Sequence, residues 1–173
     1  EAIAEDGRTG LARDKRTYSV IGLDAYRPPY IPWHLTTQEF FGMVYERLDE
    51  DGVLVVNAGR APDDRRMVDG LVATISTVFP NVYVMDLPGS FNSIIYATAR
   101  ETTIDNLIEN YLDLSHRDDV HPLLKNSIRI TLENLQSTPE GGTIFIDELA
   151  PIEWITNQMV LNFVLSGGVE ELQ

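Results

Sequence analysis

Tyr18-Ser19-Val20-Ile21-Gly22-Leu23 is a nearly unbroken apolar run of strand length, and it ends in one carboxylate, Asp24. Strands with one wet face alternate apolar and polar residues. Continuous apolarity therefore predicts a strand over Thr17 to Asp24 that is covered on both faces. An amphipathic helix follows. Thr36-Thr37-Gln38-Glu39 has capping-box spacing with Thr36 as N-cap, and Phe40, Val44 and Leu48 then recur on one helical stripe. Asp49-Glu50-Asp51-Gly52 closes that helix, with Gly52 suited to a left-handed turn. Gly52 to Asn57 is a second buried strand. Strand, helix and strand in this order predict an α/β sheet.

The remaining pattern extends that sheet. Pro62 opens a long helix whose core face is Met67, Val68, Leu71, Val72, Ile75, Val78 and Phe79, and Pro80 stops it. Asn81 to Met85 and Asn92 to Ala99 read as an antiparallel pair turning at Pro88-Gly89-Ser90. Helical patterns follow over Ile104 to Leu112, Leu123 to Leu135 and Pro151 to Leu165, with a short apolar run at Thr143 to Ile146. At the other end, Glu1 to Glu5 reads as a short strand and Gly7 to Arg16 as a turn or brief helix. No linker divides the chain. The expected organisation is a doubly wound sheet over residues 1–100, with a mostly helical extension over 101–173 packed on the same domain.

A chain of 173 residues is large enough for one real core. It carries 27 Asp and Glu against 13 Lys and Arg, a net charge of −14. Such a surface repels phosphate backbones and anionic lipid, so neither nucleic acid nor a membrane surface is an expected partner. It attracts cationic small molecules such as amines, although solubility alone also accounts for it. Absence of cysteine excludes disulfides and thiolate metal sites and is compatible with a reducing, cytoplasmic setting. The chain starts at Glu1 rather than Met, which suggests a trimmed chain or a piece of a longer one. A partial sheet of this kind leaves an edge open, so a homo-oligomer is expected.

In open α/β sheets, ligands bind outside the carboxyl ends of the strands. Asp24 at a strand tip, roofed by a loop containing Tyr26, Arg27, Pro28, Pro29 and Tyr30, is either a site residue or the start of a turn. Asp6 stands in Glu5-Asp6-Gly7-Arg8. It either accepts a hydrogen bond from the amino group of a flat ligand approaching over Gly7, or caps the short helix after it. His34 reads as a loop-packing residue. His116 and His121 lack a third ligand, so no metal is assigned. Asp147, Glu148 and Glu153 read as capping or preceding the last helix, and no serine stands in a nucleophile elbow.

Several of these segments together resemble the spermidine synthase (polyamine aminopropyltransferase) family, in its divergent spermidine-synthase-like branch. The matching motifs are Glu5-Asp6-Gly7-Arg8, Tyr18 to Asp24, Ile31-Pro32-x-x-Leu35-Thr36-Thr37-x-Glu39-Phe40-Phe41, Gly52 to Asn57 and Phe91 to Thr98. They occur in family order over roughly residues 1–100, and the tail matches more loosely. The resemblance implies a partial methyltransferase-like Rossmann fold. It also implies transfer of an aminopropyl group from decarboxylated S-adenosylmethionine to a small-molecule amine, with no permanently bound cofactor. By motif position Asp24 would be the catalytic acid that orients and deprotonates the amine, Asp6 and Gly7 would hold the adenine, and Tyr26, Arg27 and Tyr30 would form the substrate loop.

Two departures shape what the resemblance implies. The family's glycine-rich cosubstrate loop would lie before Glu1, so this chain corresponds to the C-terminal portion of such an enzyme. Where family members carry a second acid, three residues after the catalytic one, this chain has Arg27. A cation there repels a diamine and opens the way to an acceptor with a negative group. The alternatives are another S-adenosylmethionine-dependent transferase on the same fold, or a non-catalytic domain for folding or assembly.

Overall fold

A computed structural model describes residues 2–25, 31–139 and 141–166. Five strands form one mixed sheet, ordered β1 (Tyr18–Leu23), β2 (Leu48–Gly59), β4 (Asn92–Thr98), β3 (Asn81–Asp86) and β5 (Leu135–Gln136). β1 and β2 are parallel, with Leu23 beside Val56. β4 runs antiparallel to both β2 and β3, so β1, β2 and β3 all point the same way. Their carboxyl ends and the amino end of β4 therefore share one edge.

Alternation along the strands separates two sheet faces. Leu54, Val56 and Ala58, Val82 and Val84, and Ile95 and Ala97 form one buried apolar face. Phe40, Phe41 and Val44 of α2 (Gln38–Glu46) join it in one core, as do Met67, Val68, Leu71, Val72 and Ile75 of α3 (Arg66–Ile75). Ile152, Ile155 and Met159 of α6 (Ile152–Leu165) complete it. Each Val, Leu, Ile, Phe or Met side chain among them, fully buried, stabilises the fold by about 1.5–3 kcal/mol. On the opposite face, α4 (Ile104–Ser115) and α5 (Pro122–Asn134) roof Val53, Tyr83, Tyr96 and Thr98 around a cavity of about 410 Å³. Helices thus flank both faces, as a doubly wound sheet requires.

The expected cover over β1 is incomplete. No β1 residue lines the cavity beneath α4 and α5, and Val20 is 60% exposed. The apolar run forms a strand there because Ile21 and Leu23 face the core, while the roof lies over β2, β3 and β4. Residues 2–4 form no strand. They lead to α1 (Gly7–Arg13), which Asp6 caps.

Three other boundaries shift for identifiable reasons. The N-cap of α2 is Thr37, not Thr36, and it accepts from the Phe40 amide at 3.3 Å. Thr36 is occupied in closing the single 3₁₀ turn Trp33–Leu35, where its hydroxyl donates to the Trp33 carbonyl at 2.6 Å. Glu39 does not reach back to the cap either, and instead accepts from the Asp147 amide at 3.0 Å. Gly52 lies inside β2 rather than in a left-handed turn. The β1–β2 register slips between Tyr18↔Leu48 and Val20↔Val53, and a Cβ at Gly52 would fall 2.7 Å from that of Leu48. Pro62 precedes α3 in a tight turn bridged by Ala61 and Asp64, so the helix begins at Arg66.

Candidate active site at the carboxyl edge of the sheet

Asp24 follows directly from β1. Beside it on β2, Asn57 donates from Nδ2 to Asp24 Oδ1 at 2.9 Å. Asn57 in turn accepts at Oδ1 from Asn92 Nδ2, at 2.8 Å, from the start of β4. Three neighbouring strands thus contribute one amide-to-carboxylate ladder. A carboxylate accepts only, and Asn92 occupies the Asn57 oxygen, so the Asn57 NH₂ is directed at Asp24. The next residue, Ser93, donates to Asp86 Oδ1 at 2.6 Å at the tip of β3. Asp86 also takes Arg65 Nη1 at 2.7 Å and lies 3.4 Å from Arg60 Nε. Burial opposes ionisation of Asp86, but Arg65, Ser93 and Arg60 together hold it below the usual carboxylate value.

Asp6 takes the capping role that the sequence offered. Its Oδ1 accepts from the Thr9 amide at 2.9 Å, which makes it the cap of α1. Its Oδ2 lies 2.7 Å from His34 Nε2, and the imidazole must be the donor because the carboxylate only accepts. The Thr9 amide and His34 lower the Asp6 pKa. At Gly7, the neighbouring position, a Cβ would meet nothing nearer than Leu35 Cδ2 at 4.0 Å, which leaves open space beside Asp6. His34 is therefore more than loop packing, because it ties the Ile31-to-Leu35 segment to the cap of α1. Tyr26, Arg27 and Tyr30 lie outside the described residues.

Asp147 does not cap the last helix, whose N-cap Pro151 makes no side-chain cap bond. Arg8 grips its carboxylate with two hydrogen bonds, at 2.7 and 2.6 Å, and the Thr37 hydroxyl donates at 2.6 Å. Arg8 holds Asp147 below the ordinary carboxylate value, and Asp147 raises Arg8 in return. Together with Gln38 N–H to Phe145 O at 2.8 Å, these bonds clip residues 145–147 onto α1 and the start of α2.

Sequence reasoning missed Asn57, Asn92, Asp86, Arg60 and Arg65. One signal was available. The apolar runs of β1, β2 and β3 each reach a polar residue at or near their carboxyl end, namely Asp24, Asn57 and Asp86. The pairing of Asn57 with Asn92 carries no local signal, because it depends on the register of β2 against β4.

No family model matches the chain. A probable polyamine aminopropyl transferase of Bifidobacterium longum (strain NCC 2705) is 29% identical over 162 residues, covering 86% of this chain and 36% of the relative. The chain therefore spans about a third of that relative's length. Among solved structures, a probable spermidine synthase from Corynebacterium glutamicum ATCC 13032 superposes with TM-score 0.59 at 20% identity. The match covers 84% of this chain and 53% of that one, a likeness of fold. A spermidine synthase solved in complex with the transition-state analogue AdoDATO gives TM-score 0.53 at 26% identity, over 61% and 38% of the two chains. With the mixed sheet flanked by helices, these matches identify a divergent spermidine-synthase-like chain with an α/β, methyltransferase-like Rossmann fold.

Proposed function

We propose that this chain supplies the acceptor-activating edge of an aminopropyltransferase that uses decarboxylated S-adenosylmethionine and a small-molecule amine. The supporting observation is the strand-tip carboxylate of Asp24 in the grip of Asn57, in a chain whose sequence and fold both resemble spermidine synthases. An ammonium has no lone pair, so the acceptor must lose a proton before it attacks. In this reading Asp24 accepts that proton. The amine nitrogen then bonds to the aminopropyl carbon attached to sulfur. The C–S bond breaks, and its electron pair neutralises the sulfonium to give methylthioadenosine. The sulfonium is already a good leaving group, so holding the two reactants in line supplies much of the rate.

In this reading Asp6 accepts from the adenine amino group with the lone pairs that Thr9 and His34 leave free. The space at Gly7 admits the ring, and Tyr26, Arg27 and Tyr30 form the substrate loop that the family resemblance implies. Asn57 and Asn92 act as positioning residues that hold the Asp24 carboxylate in one orientation. Arg27 favours an acceptor that carries a negative group besides its amine. A cytoplasmic enzyme completes the reading, supported by a cysteine-free chain.

The test uses the full-length protein that contains this chain. Calorimetric titration with decarboxylated S-adenosylmethionine, S-adenosylmethionine and methylthioadenosine reads the adenosyl site. Aminopropyl transfer to a panel of amines reads the chemistry. Asp24→Asn is expected to cut the transfer rate by about 10²–10⁴ while leaving cosubstrate binding intact. If none of the three adenosyl compounds binds, or if Asp24→Asn transfers as fast as wild type, the assignment fails.

A further inference from the structure

Trp33 and Trp154 are the only two tryptophans of the chain, and both are unusually exposed for that residue, at 44% and 59%. They line one open cleft of about 420 Å³, together with Asp147, Ala150, Pro151 and Glu153. Trp33 comes from the 3₁₀ turn after β1 and Trp154 from the first turn of α6, so the fold brings both rings to one cleft from distant parts of the chain. Large indole surfaces left facing water around a cavity call for an explanation that isolated surface residues do not.

The charges in the cleft differ in availability. Asp147 is committed to Arg8 and Thr37. Glu153 makes no ion pair and no hydrogen bond among the described residues, so its carboxylate is the free charge of the cleft. The structure also shows that one of these rings takes a cation. The Arg66 guanidinium lies 5.7 Å from the centre of the Trp154 ring, while Asp64 binds its nitrogens. Indole faces attract cations through their quadrupole, and the attraction grows where a second ring and a carboxylate share the site. A net charge of −14 adds a field that concentrates cations at the surface.

We propose that this cleft is a binding site for an alkylammonium ion, held between the Trp33 and Trp154 rings and balanced by Glu153. An inorganic cation gains little from indole, and a neutral amphiphile forms no ion pair with Glu153. The combination selects a cation with an apolar body. Arg66 competes for the Trp154 face, so it limits affinity. The site stands on residues other than Asp24, Asn57 and Asp6, and it stands whether or not the chain transfers an aminopropyl group.

Because both reporters sit in the cleft, tryptophan emission reads binding directly. The chain is titrated with tetramethylammonium and with n-butylammonium chloride, ionic strength being matched with sodium chloride. Neopentyl alcohol serves as the neutral control. The expected result is a saturable emission change with a dissociation constant of about millimolar order, absent with sodium chloride and with the alcohol. Trp33→Phe and Trp154→Phe each leave one reporter, and both single-tryptophan proteins should still respond. Glu153→Gln, an exposed change that leaves the far-UV circular dichroism intact, should weaken binding roughly threefold. Arg66→Ala should strengthen it. An emission change that never saturates, an equal response to the neutral alcohol, a response from one tryptophan alone, or unaltered affinity in Glu153→Gln overturns the proposal.

Discussion

Gly70→Ala sets two effects of known size against each other. Gly70 sits in the middle of α3, where alanine should gain about 1 kcal/mol of helix propensity. An ideal Cβ at this position, however, would lie 2.3 Å from Phe145 Cζ, and 2.9 and 3.0 Å from Cε2 and Cε1. Comfortable carbon–carbon contact is about 3.5–4.0 Å, so the ring must retreat by more than about 1 Å. It has little freedom to do so. Phe145 is fully buried, its N–H donates to Thr74 Oγ1 at 2.8 Å, and its carbonyl accepts from Gln38 at 2.8 Å. Overpacking of this kind costs about 1–3 kcal/mol, and a pinned backbone places this site toward the upper end. The expected net effect is a loss of about 1–2 kcal/mol, or roughly 2–8 °C in Tm for a chain of this size.

Urea denaturation followed by circular dichroism measures that loss. Phe145→Leu costs stability alone, because it vacates core volume. Combined with Gly70→Ala it should cost less than the sum, since the new methyl fills part of the space the ring left. The residues at stake are those that hold Asp147 against Arg8, so Gly70→Ala should also loosen the wall of the tryptophan cleft. A Gly70→Ala protein more stable than wild type by the propensity increment, with additive double-mutant energetics, refutes the close-packing argument.

Three further outcomes follow from the site and its supports. Asn57→Leu in the full-length protein should lower kcat for aminopropyl transfer about tenfold, less than Asp24→Asn, with Asn57→Gln recovering part of it; steady-state kinetics on both variants check the order. The Arg8–Asp147 pair makes acid stability testable. Asp147 has its pKa depressed in the fold, so its contribution is present above the unfolded carboxylate value of about 3.9 and is lost as pH falls through the lower folded value. Thermal melts between roughly pH 5 and 2 should therefore fall more steeply for wild type than for Arg8→Gln, and parallel curves would remove the pair from acid unfolding. Finally, Val20→Lys places a charge on the exposed large apolar residue of β1, and gel filtration should show it shifting self-associated chains toward monomer.

The order of strands and helices was legible in the sequence because each element carries its own period. The apolar runs of β1 and β2 and the antiparallel pair β3–β4 stand where the residues place them, and so do Phe40 and Val44 of the α2 stripe, while Leu48 opens β2 instead of continuing the helix. What failed was everything decided at a distance. Thr36 and Thr37 are equally good caps, and only the preceding 3₁₀ turn assigns the role to Thr37. Glu39 has capping-box spacing but serves the Asp147 amide, 108 residues away. Gly52 carries the composition of a helix stop, yet its smallness serves a register slip between β1 and β2.

The same division governs the candidate site. Asp24 and Asp6 were visible because a carboxylate ending an apolar run, or preceding a short helix, is a local pattern. Asn57 ends its own strand in the same way, but its meaning lies in two partners: Asp24, 33 residues before it, and Asn92, 35 residues after it. An isolated asparagine at a strand tip is a turn former. Between a carboxylate and a second amide it becomes a group with a fixed sense of donation. An amine-activating carboxylate needs that directionality, because an oxygen held by one fixed donor keeps its remaining lone pairs aimed where a substrate proton arrives. A strand-tip acid without such a neighbour turns freely toward solvent, so the ladder, rather than the aspartate alone, is what makes Asp24 a candidate.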